Sequence, residues 1–278
     1  MAIDLATNFL AYVDEKFATA SKKQLVTNQD FVWDGAHAVK VYSVTTANMN
    51  DYDREGAGAT ASRYGAVEGL NAVTQTMALR KDRSFTFAID KLDADETKQQ
   101  LQAASALERQ LREVAIPEID TYVFNEMIAN AGIKAEAVAL TAENIFDEIL
   151  KANKAMDDAE VPETGRHLIV TPDVYVLLKR SPDIVMATDV GEKLRLQGVI
   201  ATIDGANVIK VPANRLPANF GFMLCHKCAT VAPVKLEDYT IHPNPPGISG
   251  SLVEGRICYD AFVLNNKNKA IYYQALAS

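Results

Sequence analysis

One feature limits the possible folds more than any other: a helical pattern that begins after Asp93 and continues to Gly132. Asp93 and Glu96 have the spacing of a capping box, and Gly132 is a typical helix stop. A helix of about 38 residues would be about 55 Å long, roughly three times the usual length in globular proteins. Pro117 predicts a kink or break near Ile116. Because the heptads do not continue through the proline, we expect this long helix to lie across a sheet rather than in a coiled coil. Its apolar face comprises Leu101, Ala104, Leu107, Leu111, Val114, Ile119, Tyr122, Val123 and Met127.

A long β-hairpin is predicted before this helix. Residues 36–46 and 72–90 have the alternating, β-branched pattern of strands. The segment between them, residues 48–69, is rich in Gly, Asn, Asp and Ser and has no helical periodicity. A hairpin of this kind is marginally stable alone in water, and loops longer than about 15 residues are uncommon in compact domains. We therefore expect the hairpin to lean on another surface, such as a neighbouring chain.

The remaining segments predict a mixed α+β fold. Residues 3–20 form an amphipathic helix, which either docks on its own core or reaches onto a neighbouring subunit. A second helix is expected over 141–158, and a buried strand over 165–172 is followed by a short helix that Asp173 starts. A hairpin with an Asp204-Gly205 turn spans 198–212, and two strands close the chain over 256–276.

Composition excludes several classes of protein. The 278 residues are 48% hydrophobic, which is typical of a globular chain. With 28 basic and 36 acidic residues, the net charge is −8, which argues against a domain that reads nucleic-acid sequence but not against one that encloses nucleic acid. Three cysteines imply no disulfide framework and suggest synthesis in a reducing cytoplasm. We expect no signal peptide and no membrane span.

No motif in the sequence compels an enzyme. The pair Cys225 and Cys228 supplies only two of the four ligands that a zinc site needs, and the flanking pattern lacks the helix start of a redox dithiol. The carboxylates of residues 90–96 are interpreted as a charged helix start, with a metal or acid–base site as the alternative. We predict no catalytic residue, no cofactor and no metal.

Several motifs, in their order along the chain, resemble those of one protein family. They are Tyr52-Asp53-Arg54, the DRSFTFAID segment from Asp82 to Asp90, the VAIPEID segment from Val114 to Asp120, residues 205–212 and 222–229, and the RICYDAFVLNNK segment from Arg256 to Lys267. Together they cover roughly residues 36–275. The chain resembles the major capsid proteins of tailed bacteriophages that share the Hong Kong 97 fold.

This resemblance implies a division of the chain into four parts. They are an N-terminal arm (1–35), an extended β-loop (36–90), a peripheral domain with the long helix, called the spine helix (91–140 and 236–278), and an axial domain (141–235). The implied function is self-assembly of hexamers and pentamers into an icosahedral shell around double-stranded DNA. The implied location is the virion capsid, after assembly in the cytoplasm of a bacterial host.

The resemblance also implies partners and assembly residues. The partners would be other copies of the chain, a portal protein, and packaged DNA contacted non-specifically, with no membrane. Because the chain has no room for a helical scaffolding segment before the loop, either a separate scaffolding protein or an already processed chain is expected. The candidate assembly residues are Asp53, Arg54, Asp82, Arg83, Phe85, Phe87, Pro117, Glu118, Asp120 and Asp260.

Three alternatives stay open. An encapsulin-type nanocompartment has the same fold but encloses an enzyme. A redox or metal enzyme would use the Cys225 and Cys228 pair. A monomeric coiled-coil adaptor would be built on residues 94–131, although Pro117 counts against it.

Overall fold

A computed structural model describes residues 21–28, 38–44, 46–54, 63–64, 68–69, 71–96, 102–183 and 202–277. The helix expected over residues 3–20 and most of the Gly-rich segment lie outside these ranges. The chain divides into two compact units. The smaller comprises Gly35–Ala78, and the larger comprises Met1–Asp34 with Leu79–Ser278.

The smaller unit is a two-stranded hairpin. Strands β1 (Ala38–Val44) and β2 (Ala72–Ala78) pair antiparallel in a register that joins Ala38 to Ala78 and Val44 to Ala72. The predicted hairpin is therefore confirmed, but its second strand is shorter than expected. Strand β2 ends at Ala78, and residues 81–90 pair with a different strand. The sequence pattern did not predict this change of partner, since alternation shows which face of a sheet a residue occupies and not which strand it pairs with.

The larger unit has, in chain order, these elements: α1 (Lys23–Val26), β3 (Lys81–Asp90), α2 (Lys91–Glu96), α3 (Ala103–Gln110), a π-helical turn (Leu111–Ala115), α4 (Ile116–Ala129), β4 (Ile133–Lys134), α5 (Ile145–Asp157), β5 (Arg166–Val170), α6 (Pro172–Arg180), β6 (Thr202–Ile203), β7 (Ala206–Lys210), a 3₁₀ turn (Ala213–Arg215), β8 (Phe220–His226), β9 (Thr230–Val231), β10 (Val234–Pro243), β11 (Gly250–Tyr259), β12 (Phe262–Val263), a second 3₁₀ turn (Asn265–Ala270) and β13 (Ile271–Ala275).

A six-stranded mixed sheet forms the centre of this unit, in the order β4-β13-β8-β5-β7-β6. Successive residues of its strands point to opposite faces. Leu168 and Leu224 pack in one cluster with residues of α5 and α6, whereas Ile169 and Met223 pack in a second cluster with residues of α4. Helices therefore cover both faces. The sheet includes β4 and β13, which lie outside the segment 141–235, together with four strands that lie within it.

A second sheet of three antiparallel strands has the order β10-β11-β3. Its β3 strand alternates partly buried residues (Phe85, Phe87 and Ile89) with exposed ones, so it has an inner and an outer face. Arg83 lies in the same alternation as Phe85 and reaches the side chain of Glu118 on α4. The inner face is therefore the one directed toward α4.

The long helix is shorter than predicted. Gln102 has an extended backbone, so α2 is separate and the spine helix consists of α3, the π turn and α4, from Ala103 to Ala129. At 1.5 Å per residue this segment is about 40 Å long. Pro117 does not end the helix but lies in the first turn of α4. The π turn precedes it, in which the Ile116 N–H bonds to the Leu111 carbonyl, five residues back. The wider turn accommodates a residue that has no N–H to donate.

The expected helix ends need three corrections. Asp90, not Asp93, caps α2, because its carboxylate accepts the Leu92 N–H at 2.8 Å. Thr171, not Asp173, caps α6 through the Val174 N–H. Gly132 lies beyond the end of α4 and is needed for close packing, since a Cβ there would lie 2.6 Å from the backbone of Asn268.

The hairpin predicted at Asp204-Gly205 is confirmed for residues 202–210. Both turn residues have positive φ, 45° and 75°, as a tight two-residue hairpin turn requires. The helix predicted over 141–158 is also present, as α5, and begins later at Ile145. Thr141 and Asn144 exchange hydrogen bonds just before its start, which accounts for the delay.

Candidate assembly site at the spine helix

The first turn of α4 carries a short motif, Pro117-Glu118-Ile119-Asp120, whose residues face different surroundings. Ile119 and Asp120 are buried, whereas Glu118 is exposed. A helix places successive side chains about 100° apart, so one turn can reach both the core and the neighbouring sheet. The two carboxylates accordingly hold different parts of the chain against the spine helix.

Asp120 anchors the segment that precedes the hairpin. Its carboxylate lies 2.9 Å from the Arg215 guanidinium, and both side chains are almost fully buried. The same carboxylate accepts the Ser21 hydroxyl at 2.6 Å and the Lys22 backbone N–H at 3.1 Å. A buried ion pair is tolerated only when such additional hydrogen bonds satisfy it. Asp120 thereby ties residues 21–22 and the turn at Arg215 to α4.

Glu118 connects α4 to the three-stranded sheet. It accepts the Arg83 guanidinium at 2.7 Å and the Tyr259 hydroxyl at 3.3 Å. Burial and the nearby Glu118 carboxylate raise the pKa of Tyr259 to about 12, so this hydroxyl stays a donor at neutral pH. The Arg83 and Glu118 side chains are largely exposed, so their ion pair contributes little to stability and mainly orients β3 against α4.

Asp260 anchors the start of β3. Its fully buried carboxylate accepts the Tyr122 hydroxyl at 2.7 Å, the Arg80 backbone N–H at 2.8 Å and the Ala261 N–H at 2.8 Å. Burial and hydrogen bonding to Asp260 raise the pKa of Tyr122. Lys81 lies over the Tyr122 ring, 5.0 Å from its centre. The residues that enter β3 are therefore fixed on α4 through one carboxylate.

The aromatic pair predicted on β3 packs over a glycine. In the register of the sheet, Phe85, Gly255 and Tyr239 lie side by side on three strands. The Phe85 and Tyr239 rings approach to 6.3 Å between centres, above the position where Gly255 has no side chain. Phe87 stacks on Phe85 at the same distance. The glycine allows the two outer strands to stack aromatic rings across the middle one.

The remaining candidate residues lie elsewhere. Asp82 is on the outer face of the same sheet, where it accepts two hydrogen bonds from Arg256, at 2.9 and 2.5 Å. These bonds lower the pKa of Asp82. Asp53 and Arg54 belong to the smaller unit: the Asp53 N–H donates to the Arg63 carbonyl at 3.0 Å, and Arg54 is exposed.

The hydrogen-bond partners of these residues were not predicted, among them Ser21, Arg80, the Tyr122 hydroxyl and Arg215. Tyr122 was interpreted as part of the apolar helix face, although a tyrosine in such a face usually finds a partner for its hydroxyl. No sequence pattern indicated that Arg215 would be a buried partner, because a single arginine in a loop is normally solvated.

The cysteine pair lacks the properties of a reactive site. Burial raises the pKa of Cys225 to about 12 and also raises the pKa of Cys228. Metal binding and disulfide exchange both require the thiolate, which these surroundings disfavour. In the described part of the chain, no three His, Cys, Asp or Glu side chains are grouped so that they could hold a metal ion. Within the same residues, no helix has the length and apolar character needed to cross a membrane.

Comparison with known proteins identifies the fold. No protein-family model matches the chain, and no curated protein matches it. Solved structures do match. A structure from Mycobacterium phage Che8 is 17% identical, with a TM-score of 0.77 over 97% of this chain and 98% of that one. The capsid structure of the cyanophage P-SCSP1u is 15% identical, with a TM-score of 0.78 over 98% and 93%.

A third match is the crystal structure of a virus-like particle from Pyrococcus furiosus. It is 12% identical, with a TM-score of 0.59 over 91% of this chain and 92% of that one. The likeness to the two phage structures is greater and extends along almost the whole of both chains. The chain therefore has the fold of phage capsid structures, which confirms the fold expected from the resemblance.

Proposed function

We propose that this chain is the major capsid subunit of a tailed bacteriophage and that its copies assemble as hexamers and pentamers into an icosahedral shell. The observation that carries this proposal is the agreement of fold with a phage capsid chain along nearly the full length of both. Asymmetric contacts between unlike surfaces of identical subunits close into rings, which is the geometry that such a shell requires.

The hairpin unit supports the proposal independently of the comparisons. Tyr42, Val73 and Tyr64 are 69%, 63% and 78% exposed, and Met49 is 97% exposed. A two-stranded ribbon with so much exposed apolar surface is poorly stable by itself in water. A neighbouring copy of the chain would cover these side chains in a shell.

The four-part division and the assembly role of the candidate residues belong to the same proposal. Asp120, Glu118 and Asp260 connect the spine helix to three other parts of the chain. We assign them the task of keeping each subunit rigid, so that its outer surfaces meet neighbours at fixed angles. Asp53 and Arg54 lie in the hairpin unit and would act at the contact itself.

The proposed partners are other copies of the chain, a separate scaffolding protein, a portal protein and packaged double-stranded DNA. Synthesis and assembly would take place in the cytoplasm of a bacterial host. The net charge of −8 suits a shell lining that encloses DNA without holding it tightly.

A protein-filled nanocompartment is the second candidate, favoured by the weaker match to the virus-like particle. The two candidates differ in their contents and not in the fold of the subunit. Shells purified from cells that also express the genes adjacent to the one for this chain distinguish the two candidates. A phage capsid would contain nuclease-protected DNA, whereas a nanocompartment would contain a co-purifying enzyme.

The direct test is negative-stain electron microscopy of the full chain after a sizing column, at several salt and protein concentrations. Closed shells, rings of five or six subunits, or tubes are the expected result. A monodisperse monomer under every condition of salt and protein concentration would contradict the proposal.

A further inference from the structure

Two lysines lie against the same tyrosine ring at one end of the central sheet. The Lys179 ammonium group on α6 is 5.2 Å from the centre of the Tyr175 ring, and the Lys210 ammonium group at the end of β7 is 4.5 Å from it. Arg180 follows Lys179 directly in the chain. Because the Tyr175 ring is only 5% exposed, it is a fixed platform that holds the two cations close together.

Lys179, Arg180 and Lys210 are called the basic patch. Arg180 and Lys210 are exposed, and Lys179 is partly exposed. Among the residues that the structure describes, no carboxylate forms an ion pair with any of the three. In a chain with 36 acidic and 28 basic residues, such a group of cations is suited to a negatively charged surface outside its own fold.

The loop after α5 presents the opposite charge. Glu160 and Glu163 are exposed there, and neither forms an ion pair with a cation of the described ranges. The buried Arg166 guanidinium holds the loop from inside, since it donates to the Val161 carbonyl at 2.7 Å and to the Pro162 carbonyl at 3.0 Å. Glu160 and Glu163, called the acidic corner, therefore stand on a backbone of fixed conformation.

The acidic corner opposes two local preferences of a helix end. Glu160 has a φ of 57°, in the left-handed region where glycine is usual after a helix. Its N–H donates to the Asp157 carbonyl at 2.9 Å, and the Val161 N–H donates to the Met156 carbonyl at 3.0 Å, so the loop closes α5 as a Schellman motif. Cations rather than carboxylates are favoured at this end of a helix. A cationic surface placed against the loop would offset the electrostatic part of this cost.

The two surfaces lie at opposite ends of the same parallel strands. The acidic corner precedes Arg166, the first residue of β5, whereas Lys210 is paired with Val170, the last residue of β5. The length of β5 separates them, which is about 13 Å at 3.3 Å per residue. A contact between the two surfaces therefore requires two copies of the chain, arranged head to tail.

We propose that the basic patch of one copy of the chain binds the acidic corner of the next copy. The contact joins unlike surfaces, so it repeats in one direction and closes into a ring when the rotation between copies allows it. Complementary charges set the orientation of such partners and exclude pairings of like charge. The inference rests on the proposed function, because it names a contact within the rings from which the shell is built.

Charge reversal in the full chain tests the contact, with assembly measured by sedimentation and negative-stain electron microscopy. Lys179→Glu with Lys210→Glu should lower the assembled fraction by about tenfold or more, and so should Glu160→Lys with Glu163→Lys, because each pair of changes places like charges across the contact. All four substitutions together should restore assembly to within about threefold of the native level, since the charge pairs form again with exchanged signs. The two double variants shift the net charge in opposite directions, so a loss that they share does not come from the net charge.

The matched control is Lys91→Glu with Lys235→Glu, which makes the same change of charge at exposed lysines on α2 and β10. This control should assemble like the native chain. Circular dichroism of the unassembled subunits shows whether each variant folds. A reversal variant that does not fold is replaced by the corresponding glutamine variant, which removes the charges without adding repulsion and should show a smaller loss of assembly.

Normal assembly of both double variants would overturn this contact and leave the proposed function intact, whereas a native chain that never assembles contradicts the proposed function itself. A loss that the fourfold variant does not restore, or an equal loss in the Lys91 and Lys235 control, would also overturn the contact. If the variant with Lys179→Glu and Lys210→Glu forms normal shells that protect less DNA from nuclease, the basic patch binds phosphate groups and not a second copy of the chain.

Discussion

Asp120 and Glu118 lie in the same turn of α4 but in different surroundings. We therefore expect their substitution to lower the free energy of unfolding by different amounts. Asp120 is buried against Arg215, whereas Glu118 faces Arg83 at the surface. Asp120→Asn would remove the carboxylate charge that pairs with the buried Arg215 guanidinium, so we expect it to lower the free energy of unfolding by about 3–5 kcal/mol. Glu118→Gln should have little effect, because water replaces an exposed partner.

Urea unfolding of the unassembled chain, followed by circular dichroism, measures both substitutions. The Glu118 variant is the matched control, since it removes one charge from the same turn of α4. A loss of similar size in the two variants would show that burial does not set the energetics of this motif. A second readout is proteolysis near Ser21, which should become faster only in the Asp120 variant, because its carboxylate holds that segment.

At the scale of elements, the three-stranded sheet depends on the absence of one side chain. A Cβ at Gly255 would overlap the Phe85 ring, which lies directly across from it. Gly255→Ala should therefore destabilise the unassembled chain by about 1–3 kcal/mol, the range for overpacking. In a Phe85→Leu background the same change should cost clearly less, because the smaller side chain leaves room for the methyl group.

Denaturant unfolding of the single and double variants gives the coupling between the two positions. Gly69→Ala is the control, since a Cβ at that position has no atom within 4 Å and its backbone does not have positive φ. Equal costs of Gly255→Ala in the two backgrounds would mean that Phe85 is not the group that the methyl displaces.

The same sheet shows which features a single sequence can predict. The alternation of residues 81–90 correctly predicted a strand with Phe85 and Phe87 on one face, because side-chain direction follows from local geometry. It did not predict that β11 would be the partner, since 160 or more residues separate the paired positions and pairing depends on the whole fold.

The spine helix shows the same limit. Its apolar spacing correctly placed Val123 and Met127 in the core, but the interruption before Ala103 and the π turn before Pro117 depend on packing that the pattern does not contain. The anchoring of Asp120 was equally hidden. The motif drew attention to the residue, whereas its partners Ser21 and Arg215 lie 99 and 95 residues away.

At the scale of the whole molecule, the acidic balance of the chain predicts how it meets DNA. With 36 acidic and 28 basic residues, few phosphate contacts can form, so few counterions are released on binding. Free subunits should bind double-stranded DNA weakly, and the affinity should change little with salt. A fluorescence anisotropy titration over a range of salt concentrations measures this slope. A steep decrease in affinity with salt would contradict the role of a lining that only encloses DNA.

The final prediction concerns the two units. Among the residues that the structure describes, both hydrophobic core clusters lie in the larger unit. Val44 and Ala72 are the last pair of the hairpin register, so replacing residues 45–71 by Asn-Gly would close the ribbon with a favoured two-residue turn. We expect the variant to keep the circular dichroism and thermal midpoint of the native subunit, since the larger unit loses none of its own residues. Assembly should be lost, since the exposed side chains of Met49 and Tyr64 are removed.

Sedimentation and electron microscopy of this variant separate two explanations of the exposed hairpin. The milder pair Met49→Ser and Tyr64→Ser keeps the full length of the loop and should weaken assembly without abolishing the ribbon. Shells from the shortened variant would show that the hairpin is not a contact between copies. If the shortened chain instead unfolds, the hairpin is needed for the stability of the subunit itself, and its apolar side chains are covered within one chain. If the shortened chain folds but no longer assembles, the change has affected only association between subunits. That result would show that the hairpin forms a contact between copies of the chain.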